Sequence, residues 1–451
     1  MIDAVRKYKS EVVFIMMRSL YSAISGLRNH QTRMDVIGNN IANVNTTGFK
    51  QSRVTFQDTL SQTLQGASSA AGNQGGTNPM QVGLGMGLAS IDTIFTDGSF
   101  SPTGKSTDLG IAGDGFFILS NGQSQMYTRN GAFDFDTLGN FVMPGSGYKV
   151  VGWKADANGN IDTTQPTTNI QIPVGATMPA KASTKITYGG NLLADAAVGV
   201  TSRTTASIEV YDSQGNAYKV SGTFEKLAVD ATATPPVPDN TWSFTPASPV
   251  KNSSGAIIGN VAGGTSTITF NGNGTFNTVT TTPLVITPPA GSAYAGAGPT
   301  TVNLNFAAMT QYGGGGSTTA TSNVTVDRDG YTAGTLESKT VSSTGVISGR
   351  FSNGQSQDLA QVALASFNNP GGLEKYGESL YVKSNNSGEP RVGTSGTGGR
   401  GKFSPGTLEM SNVDLATEFS NMIVTQRGFQ ANSKVITTTD SMLEELVNLK
   451  R

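Results

Sequence analysis

The segment LATEFSNMIVTQRGFQANSKVITTTDSMLEELV, residues 415–447, decides the predicted fold because its apolar residues recur at helical spacing. Alternating steps of four and three residues select ten positions, and seven of these are apolar. This spacing predicts a helix with a coiled-coil seam. Asp414 precedes the segment, and Lys450 and Arg451 follow it, which matches the charge preference of a helix dipole. The apolar seam positions are Leu415, Phe419, Met422, Phe429, Ile436, Leu443 and Val447.

The N-terminal end carries a second amphipathic stretch, between residues 17 and 44. It runs into an Asn- and Thr-rich segment and then meets Gly48, a residue type that commonly ends helices. A helix packed alone on its own domain would show a similar stripe. Because both ends are amphipathic and the middle offers no helical partner, we expect the two terminal helices to pair with each other and with neighbouring copies. The seam positions on this helix are Leu20, Ile24, Leu27, Met34, Ile37 and Ile41.

The middle of the chain changes to a period of two, which is typical of β-strands. Residues 89–95, 208–211 and 324–326 alternate in this way and are bounded by Gly, Asp and Asn. We therefore expect short strands joined by tight turns. The middle is predicted to be antiparallel β-structure, rich in hairpins.

One turn motif, Asp-x-x-Gly-Asn, begins at Asp136, Asp156 and Asp212. An Asp side chain can accept hydrogen bonds from its own turn, and Gly takes the positive φ that closes a hairpin. Residues 327–330 look like a fourth case. Each motif therefore predicts a hairpin turn.

These patterns define a fold class that is mainly β with α-helical coiled-coil termini, in a discontinuous multidomain architecture with a nested insertion. Residues 165–332 form a separate block rich in Thr, Pro and Gly. The predicted boundaries are an N-terminal extension at 1–16, the N-terminal helix of an inner coiled-coil domain at 17–65, a glycine-rich connector at 66–83, the first half of a middle β-domain at 84–164, an inserted outer β-domain at 165–332, the second half of the middle domain at 333–405 and the C-terminal helix at 406–451.

The composition excludes several classes of site. A net charge of −1 provides no basic footprint for nucleic acid. The chain has no cysteine, which excludes disulfides and thiolate chemistry. His30 is the only histidine, which leaves little room for Ser-His-Asp catalysis or a zinc site, and we expect it to be a polar residue on a helix face. No apolar run approaches the ~18 residues that would span a bilayer.

Three motifs resemble ligand sites only superficially. The glycines of residues 98–106 are spaced too widely for a phosphate-binding loop, and Pro102 removes a donor amide. Residues 156–162 place Gly159 one position too early for a calcium loop and lack its closing glutamate. Residues 83–87 lack the dinucleotide spacing. We therefore predict no catalytic residue, no cofactor and no metal site.

Groups of short motifs occur in a fixed order along the chain. They are SGL at 25–27, MDVIGNNIAN at 34–43 and TGFK at 47–50; NPMQVG at 78–83, GDGFF at 113–117 and YTRNG at 127–131; FNNPGGL at 367–373, LEMSNVDL at 408–415, MIVTQR at 422–427 and LVNL at 446–449. Together they resemble the flagellar rod and hook protein family over most of the chain outside 165–332.

The resemblance implies a non-enzymatic structural subunit that polymerises with itself into a flexible, curved tube and transmits motor torque to the filament. Paired terminal helices would line the export channel, the middle β-domain would surround them, and the inserted domain would face outward. The implied partners are further copies of the chain, the distal rod protein, the hook cap, the hook–filament junction protein and the flagellar type III export apparatus. The implied location is the extracellular, basal-body-associated hook, reached without a cleaved signal peptide and without membrane insertion.

Two alternatives remain beside this interpretation. Rod members of the family are mostly shorter, so the block at 165–332 favours a hook member, but a distal rod protein with an inserted domain is the alternative. A secreted carbohydrate-binding or hydrolytic β-protein would line a pocket with Trp and paired carboxylates, and the chain has only Trp153 and Trp242. Family members usually begin near Met16 or Met17, so we expect the N-terminal extension to come from a misplaced start codon.

Overall fold

A computed structural model describes residues 2–70, 75–199, 203–229, 240–251, 257–289, 295–314 and 321–448, and within these ranges all side chains except those of 2–16, 446 and 447. The chain divides into two compact units. The first contains Met1–Val174, Lys339–Gly349 and Gln357–Arg451, and the second contains Gly175–Ser338 and Arg350–Ser356. The second unit therefore interrupts the first along the sequence.

Both termini are helical, as predicted, with α1 at Ile2–Ala42 and α2 at Leu415–Asn448. Helix α1 ends among Asn and Thr residues, whose side chains compete for backbone hydrogen bonds, and Gly48 follows with a φ of 66°. Helix α2 begins at a side-chain cap, in which the Asp414 carboxylate accepts a hydrogen bond from the Ala416 backbone N–H at 2.9 Å. No described helix carries an apolar stretch long enough to cross a membrane.

The strands fill most of the chain between the helices. Residues 52–169 form β1 (Ser52–Asp58), β2 (Ser61–Gln65), β3 (Met80–Gly83), β4 (Met86–Thr93), β5 (Phe100–Pro102), β6 (Leu109–Ala112), β7 (Phe116–Ser120), β8 (Gln125–Thr128), β9 (Asp134–Phe135), β10 (Phe141–Val142), β11 (Lys149–Lys154) and β12 (Thr168–Asn169). Residues 177–328 form β13 (Thr177–Met178), β14 (Lys185–Leu193), β15 (Thr204–Tyr211), β16 (Ala217–Lys226), β17 (Thr241–Pro246), β18 (Val250–Lys251), β19 (Ile257–Ala262), β20 (Ser266–Phe270), β21 (Phe276–Thr281), β22 (Leu284–Thr287), β23 (Thr300–Tyr312) and β24 (Asn323–Arg328). Residues 334–409 form β25 (Gly334–Val341), β26 (Val346–Phe351), β27 (Ser356–Val362), β28 (Leu364–Ser366), β29 (Glu374–Gly377), β30 (Leu380–Val382), β31 (Arg391–Gly393), β32 (Lys402–Pro405) and β33 (Thr407–Glu409).

Two predicted segments differ from the observed elements. The segment 17–65, expected to be helical, is helical only to Ala42, and its last part forms β1 and β2. The segment 66–83, expected to be a connector, contains β3, which pairs antiparallel with β2. Both differences arise because strand pairing between distant segments is not visible in a local helical period.

The first unit contains an antiparallel sheet in the order β27-β11-β7-β8-β30-β29. Its core is aromatic, and the rings of Phe116, Phe367 and Tyr381 meet edge to face. The Tyr127 and Phe367 ring centroids are 4.8 Å apart. Such pairs add about 0.5–1.5 kcal/mol each beyond the burial of their surface. Strands β1 and β4 pair outside this sheet.

The second unit contains a sheet in the order β21-β20-β17-β16-β18-β19-β22-β23-β14-β24. Most of its pairs are antiparallel, as predicted, but β14 and β23 run parallel. Parallel partners need a long crossover, and here several strands intervene between the two in the chain. The core again contains aromatic rings, with Tyr188 stacked on Phe306 and Trp242 fully buried.

The three Asp-x-x-Gly-Asn motifs form the predicted turns. In each, the Asp carboxylate accepts backbone N–H bonds from the residues two and four positions later. Gly139, Gly159 and Gly215 have φ values of 79°, 85° and 86°, which an L side chain would strain. The expected fourth turn at 327–330 is different. Asp329 accepts hydrogen bonds from the backbone of Thr184 and Lys185, and the Asp327 carboxylate accepts one from the adjacent Arg328 N–H.

One of these turns is buried, which predicts a large mutational effect. Asp212 is 0% exposed, and its carboxylate also accepts hydrogen bonds from the Asn216 amide and the Tyr218 hydroxyl. Asp212→Ala is expected to destabilise the second unit by about 2 kcal/mol, because buried donors lose their acceptor. The exposed Asp156 occupies the same turn, so Asp156→Ala is the matched control. Equal shifts of the thermal unfolding midpoint for the two variants would contradict this account.

Candidate functional site

The two long helices lie antiparallel and contact each other within the first unit. A Cβ added at Gly26 would lie 2.5 Å from Nδ2 of Asn432, and one added at Gly428 would lie 2.8 Å from the His30 ring. Glycine at these two positions lets the helices approach closely. The predicted pairing of the two chain ends is therefore confirmed.

The face of α2 that meets α1 is largely small and polar. Thr425 is fully buried and donates a hydrogen bond to the Asn421 carbonyl at 2.7 Å. The Asn40 amide donates to the Glu418 carboxylate at 3.4 Å, and the Arg33 guanidinium lies 3.5 Å from the Asn421 side-chain oxygen. The buried and half-buried residues of this face are Glu418, Asn421, Met422, Thr425, Gly428, Asn432, Ser433, Ile436, Thr439 and Leu443.

The residues of the predicted seam fall into groups of different exposure. On α1, Ile37 is buried, and Leu20, Ile24, Leu27, Met34 and Ile41 are half-buried. On α2, Met422, Ile436 and Leu443 are half-buried, whereas Leu415, Phe419 and Phe429 are exposed. The side chain of Val447 lies outside the described residues. The three exposed residues are not covered within a single chain, and their burial against neighbouring copies stays a prediction.

The large apolar residues of α2 form two exposed flanks, one on each side of the paired face. The spacing of the two sets places them on different sides, because a helix advances about 100° per residue. The first flank consists of Leu415, Phe419, Ile423 and Phe429. The second flank consists of Val424, Val435 and Met442. Ile423 and the residues of the second flank were not identified from the sequence. Val424, Val435 and Met442 are separated by eleven and seven residues, a spacing that places them on one side of a helix.

Apolar residues are also exposed on the hairpin of β2 and β3. Every residue of both strands is exposed. Leu64 and Met80 lie on the strands, and Leu60, just before β2, is 76% exposed. A two-stranded hairpin alone is marginally stable in water, so this surface gains stability if another molecule covers it.

A buried ion pair connects the segment after α1 to the segment before α2. Lys50 and Glu409 are both 0% exposed, and their side chains form a direct salt bridge. The Lys50 ammonium also donates to the Thr96 carbonyl at 2.7 Å, and the Gly98 N–H donates to the Glu409 carboxylate at 3.0 Å. These contacts hold the bases of both helices on the β-structure of the first unit.

Arg129 joins this pair and extends it toward the surface. Its Nη1 lies 3.4 Å from the Glu409 carboxylate and 3.5 Å from the carboxylate of the partly exposed Asp97. The guanidinium also lies 5.4 Å from the Phe116 ring centroid. We call Lys50, Asp97, Arg129 and Glu409 the polar junction.

Burial lowers the pKa of the Lys50 amine, and the Glu409 carboxylate opposes this shift. Desolvation and attraction nearly cancel in such sites, so a buried pair adds little net stability. Removal of one partner, however, leaves an unpaired buried charge. Loss of either charge of the polar junction is therefore expected to cost more stability than the intact pair contributes.

Two asparagines complete the attachment. Asn412 donates to the Ile94 carbonyl at 2.9 Å and accepts from the Gln51 N–H at 2.8 Å. Asn40 exchanges two hydrogen bonds with the backbone of Ser52. The motifs quoted from the sequence at 34–43, 47–50, 127–131 and 408–415 thus meet in one place.

The motifs that mimic ligand sites are engaged in internal contacts. Lys105, in the loop that resembles a phosphate site, pairs with Asp134 at 2.8 Å. The Asp156 carboxylate accepts hydrogen bonds from its own turn. Trp153 and Trp242 are both buried. Among the described residues, no group of three His, Asp or Glu side chains could hold a metal ion.

Known families match four parts of this chain. They are described as flagella basal body rod protein (residues 20–50), flagellar hook protein FlgE/F/G D1 domain (110–193), flagellar basal body protein FlaE D2 domain (193–331) and flagellar basal body rod FlgEFG protein C-terminal (404–449). The order of these matches defines an axial protein of the flagellar rod and hook.

Full-length relatives make the assignment specific. The flagellar hook protein FlgE of Borreliella burgdorferi is 43% identical, over 96% of this chain and 100% of its own length, and that of Treponema pallidum is 41% identical, over 97% and 100%. This chain belongs to the flagellar hook protein family and is a structural subunit of the hook. The solved structure of the Helicobacter pylori flagellar hook protein FlgE2 shares its fold, with a TM-score of 0.50 at 16% identity over 69% of this chain and 100% of that one.

Proposed function

We propose that the chain is a non-enzymatic subunit that polymerises with itself into a flexible, curved tube and transmits torque from the flagellar motor to the filament. The observation that carries this proposal is the pair of exposed apolar flanks on α2. Full burial of an exposed Phe, Leu or Val side chain gains about 1.5–3 kcal/mol, and these half-exposed side chains would gain part of it against a neighbour. A single copy leaves that gain unused.

The two flanks contain different residues, which favours a heterologous interface. In such an interface, the first flank of one copy meets another surface of the next copy, and the contact repeats without closing. An open helical array follows. The exposed hairpin of β2 and β3 offers a further apolar surface for the same contacts.

The polar junction suits a subunit that carries load. It fixes both helix bases to the first unit through buried charge pairs and the Asn40 and Asn412 hydrogen bonds. Torque that reaches the helices would therefore pass directly to the β-structure. We assign the second unit to the inserted outer β-domain expected at 165–332, and the match of 193–331 to the FlaE D2 domain supports this.

The export route, the specific partners and the location follow from the same proposal. The chain would be exported by the flagellar type III apparatus without a cleaved signal peptide. It would add to the tube beneath the hook cap, and the finished tube would contact the distal rod protein and the hook–filament junction protein. Its location would be extracellular, and it would bind neither nucleic acid nor a membrane.

A distal rod protein with an inserted domain is the second candidate. The flagellar basal-body rod protein FlgG of Bacillus subtilis is 32% identical over 97% of this chain and 100% of its own length. A rod protein can therefore be aligned along nearly all of this chain. The higher identity to hook proteins favours the hook, and tube curvature distinguishes the two.

The role of the first flank can be tested with one substitution. Phe419→Asp is expected to raise the critical concentration for polymerisation about a hundredfold, because lost ring burial and a buried carboxylate together remove roughly 3 kcal/mol. Sedimentation of the polymer measures this. Leu138→Asp changes an apolar residue that is at least as exposed, at a β-turn, and should polymerise normally. Normal tubes from Phe419→Asp would refute the assignment.

A further inference from the structure

A cavity of about 300 Å³ lies within the β-structure of the first unit. Part of its wall is aromatic and consists of Phe95, Phe116 and Phe367. The Phe116 ring centroid is 5.3 Å from that of Phe95 and 5.7 Å from that of Phe367. The lining also includes the polar side chains of Arg129, Ser366 and Arg391. An apolar wall with a few polar groups is the usual composition of a pocket that binds a small ligand.

The Arg129 guanidinium uses only one of its nitrogens for hydrogen bonds. The side chain is 1% exposed, and Nη1 donates to the Asp97 and Glu409 carboxylates and to the Ile111 carbonyl. Nε is buried without a partner, and Nη2 forms no hydrogen bond with a described residue. Nε and Nη2 are the edge of a guanidinium that can bind both oxygens of a carboxylate. The polar junction therefore leaves this edge of Arg129 without an acceptor.

Ser366 contributes a second unsatisfied group to the same lining. It is 7% exposed, and its hydroxyl oxygen has no hydrogen-bond partner in the described part of the chain. Ser366 lies on β28 opposite Arg391 of β31. Buried polar groups are nearly always hydrogen-bonded in folded proteins, so an unpaired one needs an explanation. Two such groups in the lining of one cavity indicate a ligand that supplies oxygen acceptors.

The unpaired donors, and not the net charge, indicate the class of ligand. The lining contains one further cation, Arg391, and one anion, Asp114, and neither forms a salt bridge with another described residue. These two exposed charges offset each other. A guanidinium offers donors alone, so its free edge requires an acceptor. A carboxylate matches that edge with two parallel hydrogen bonds and can also accept from a hydroxyl.

We propose that this cavity binds a carboxylate on a short apolar stem, held by the free edge of Arg129 and by the Ser366 hydroxyl. The stem would contact the three phenylalanine rings. An Asp or Glu side chain of a neighbouring copy and a free organic acid both present this chemistry. The cavity lies within one copy, so carboxylate binding does not depend on the proposed assembly.

The test measures binding of propionate, which has the carboxylate and short stem of a Glu side chain. The full-length Trp242→Phe chain is kept unpolymerised at about pH 7, where propionate is ionised, and Trp153 fluorescence reports thermal unfolding of the first unit. Propionate is expected to raise the unfolding midpoint in a saturable manner, because it binds the folded state. Neutral propionamide, at the same concentration and ionic strength, is expected to leave it unchanged.

Ser366→Ala tests the site without removing a charge from the polar junction. It is expected to weaken propionate binding about tenfold, because it removes one hydrogen bond to a charged group. Without propionate its unfolding midpoint should not fall, because the hydroxyl has no partner to lose. Lys154→Gln removes an exposed charge outside the cavity lining and should bind propionate as the wild type does. Equal effects of propionate and propionamide, or equal propionate affinity in Ser366→Ala and wild type, would overturn the proposal.

Sedimentation of tubes then identifies the source of the carboxylate. If a neighbouring copy supplies it, propionate competes and raises the critical concentration for polymerisation, and Ser366→Ala raises it without propionate. If a free organic acid supplies it, both leave the critical concentration unchanged. A chain that binds propionate but forms no tubes would contradict the proposed function and leave the carboxylate site standing.

Discussion

Glu409→Ala is expected to destabilise the first unit by about 3–5 kcal/mol, because it leaves the Lys50 ammonium buried without its carboxylate. Arg129 would lose one of its two carboxylate partners at the same time. Urea unfolding measures the loss. Trp153 lies in the first unit and Trp242 in the second, so a Trp242→Phe background leaves one fluorescent reporter for the unit concerned.

The control is an ion pair on the surface of the same unit. Lys383 and Glu389 are 3.0 Å apart with exposed side chains, so Glu389→Ala should change stability by less than about 1 kcal/mol. A Lys50→Met and Glu409→Met double variant should recover much of the loss, because two apolar side chains need no partner. A double variant as unstable as Glu409→Ala would show that the pair does more than neutralise buried charge.

Gly48→Ala is expected to destabilise the first unit by about 3 kcal/mol or more. Its φ of 66° disfavours any side chain by roughly 1–2 kcal/mol. The added Cβ would also lie 2.5 Å from the Asn130 backbone nitrogen, which cannot move aside as a flexible side chain can. Because the Gly48 N–H donates to the Glu409 carbonyl at 2.8 Å, a shift here would disturb the polar junction.

Gly38→Ala provides a control with the opposite sign. Gly38 lies within α1, and a Cβ there would meet nothing within 4 Å. Alanine should stabilise the helix by about 0.5–1 kcal/mol relative to glycine. The two variants make the same chemical change ten positions apart, so only their surroundings differ. Urea midpoints that move in the same direction for both would contradict the description of Gly48.

Much of this fold can be predicted from local sequence. The terminal helices follow from apolar spacing and from the Asp414 cap, and the Asp-x-x-Gly-Asn motifs specify their own turns. These features depend on residues close together in the chain. The paired helix ends could also be inferred, because two amphipathic helices needed partners and the β-rich middle supplied none.

The features that could not be predicted depend on contacts between distant residues. Apolar spacing on α2 identified side chains that need burial, but it could not show which of them are covered within one chain. The paired face uses Thr425 and Gly428, which give no apolar signal. The polar junction was visible only as separate family motifs, because Lys50 and Glu409 are far apart in sequence. The parallel pairing of β14 with β23 is non-local in the same way.

The central claim is that copies of this chain assemble through the flanks of α2 into a curved tube. Electron cryo-microscopy of tubes polymerised from the full-length chain tests it most directly, because it shows both the curvature and what covers each flank. We expect curved tubes in which Phe419 and Val424 of every copy are buried against neighbouring copies. Straight tubes, or tubes in which both flanks remain exposed to solvent, would contradict the account.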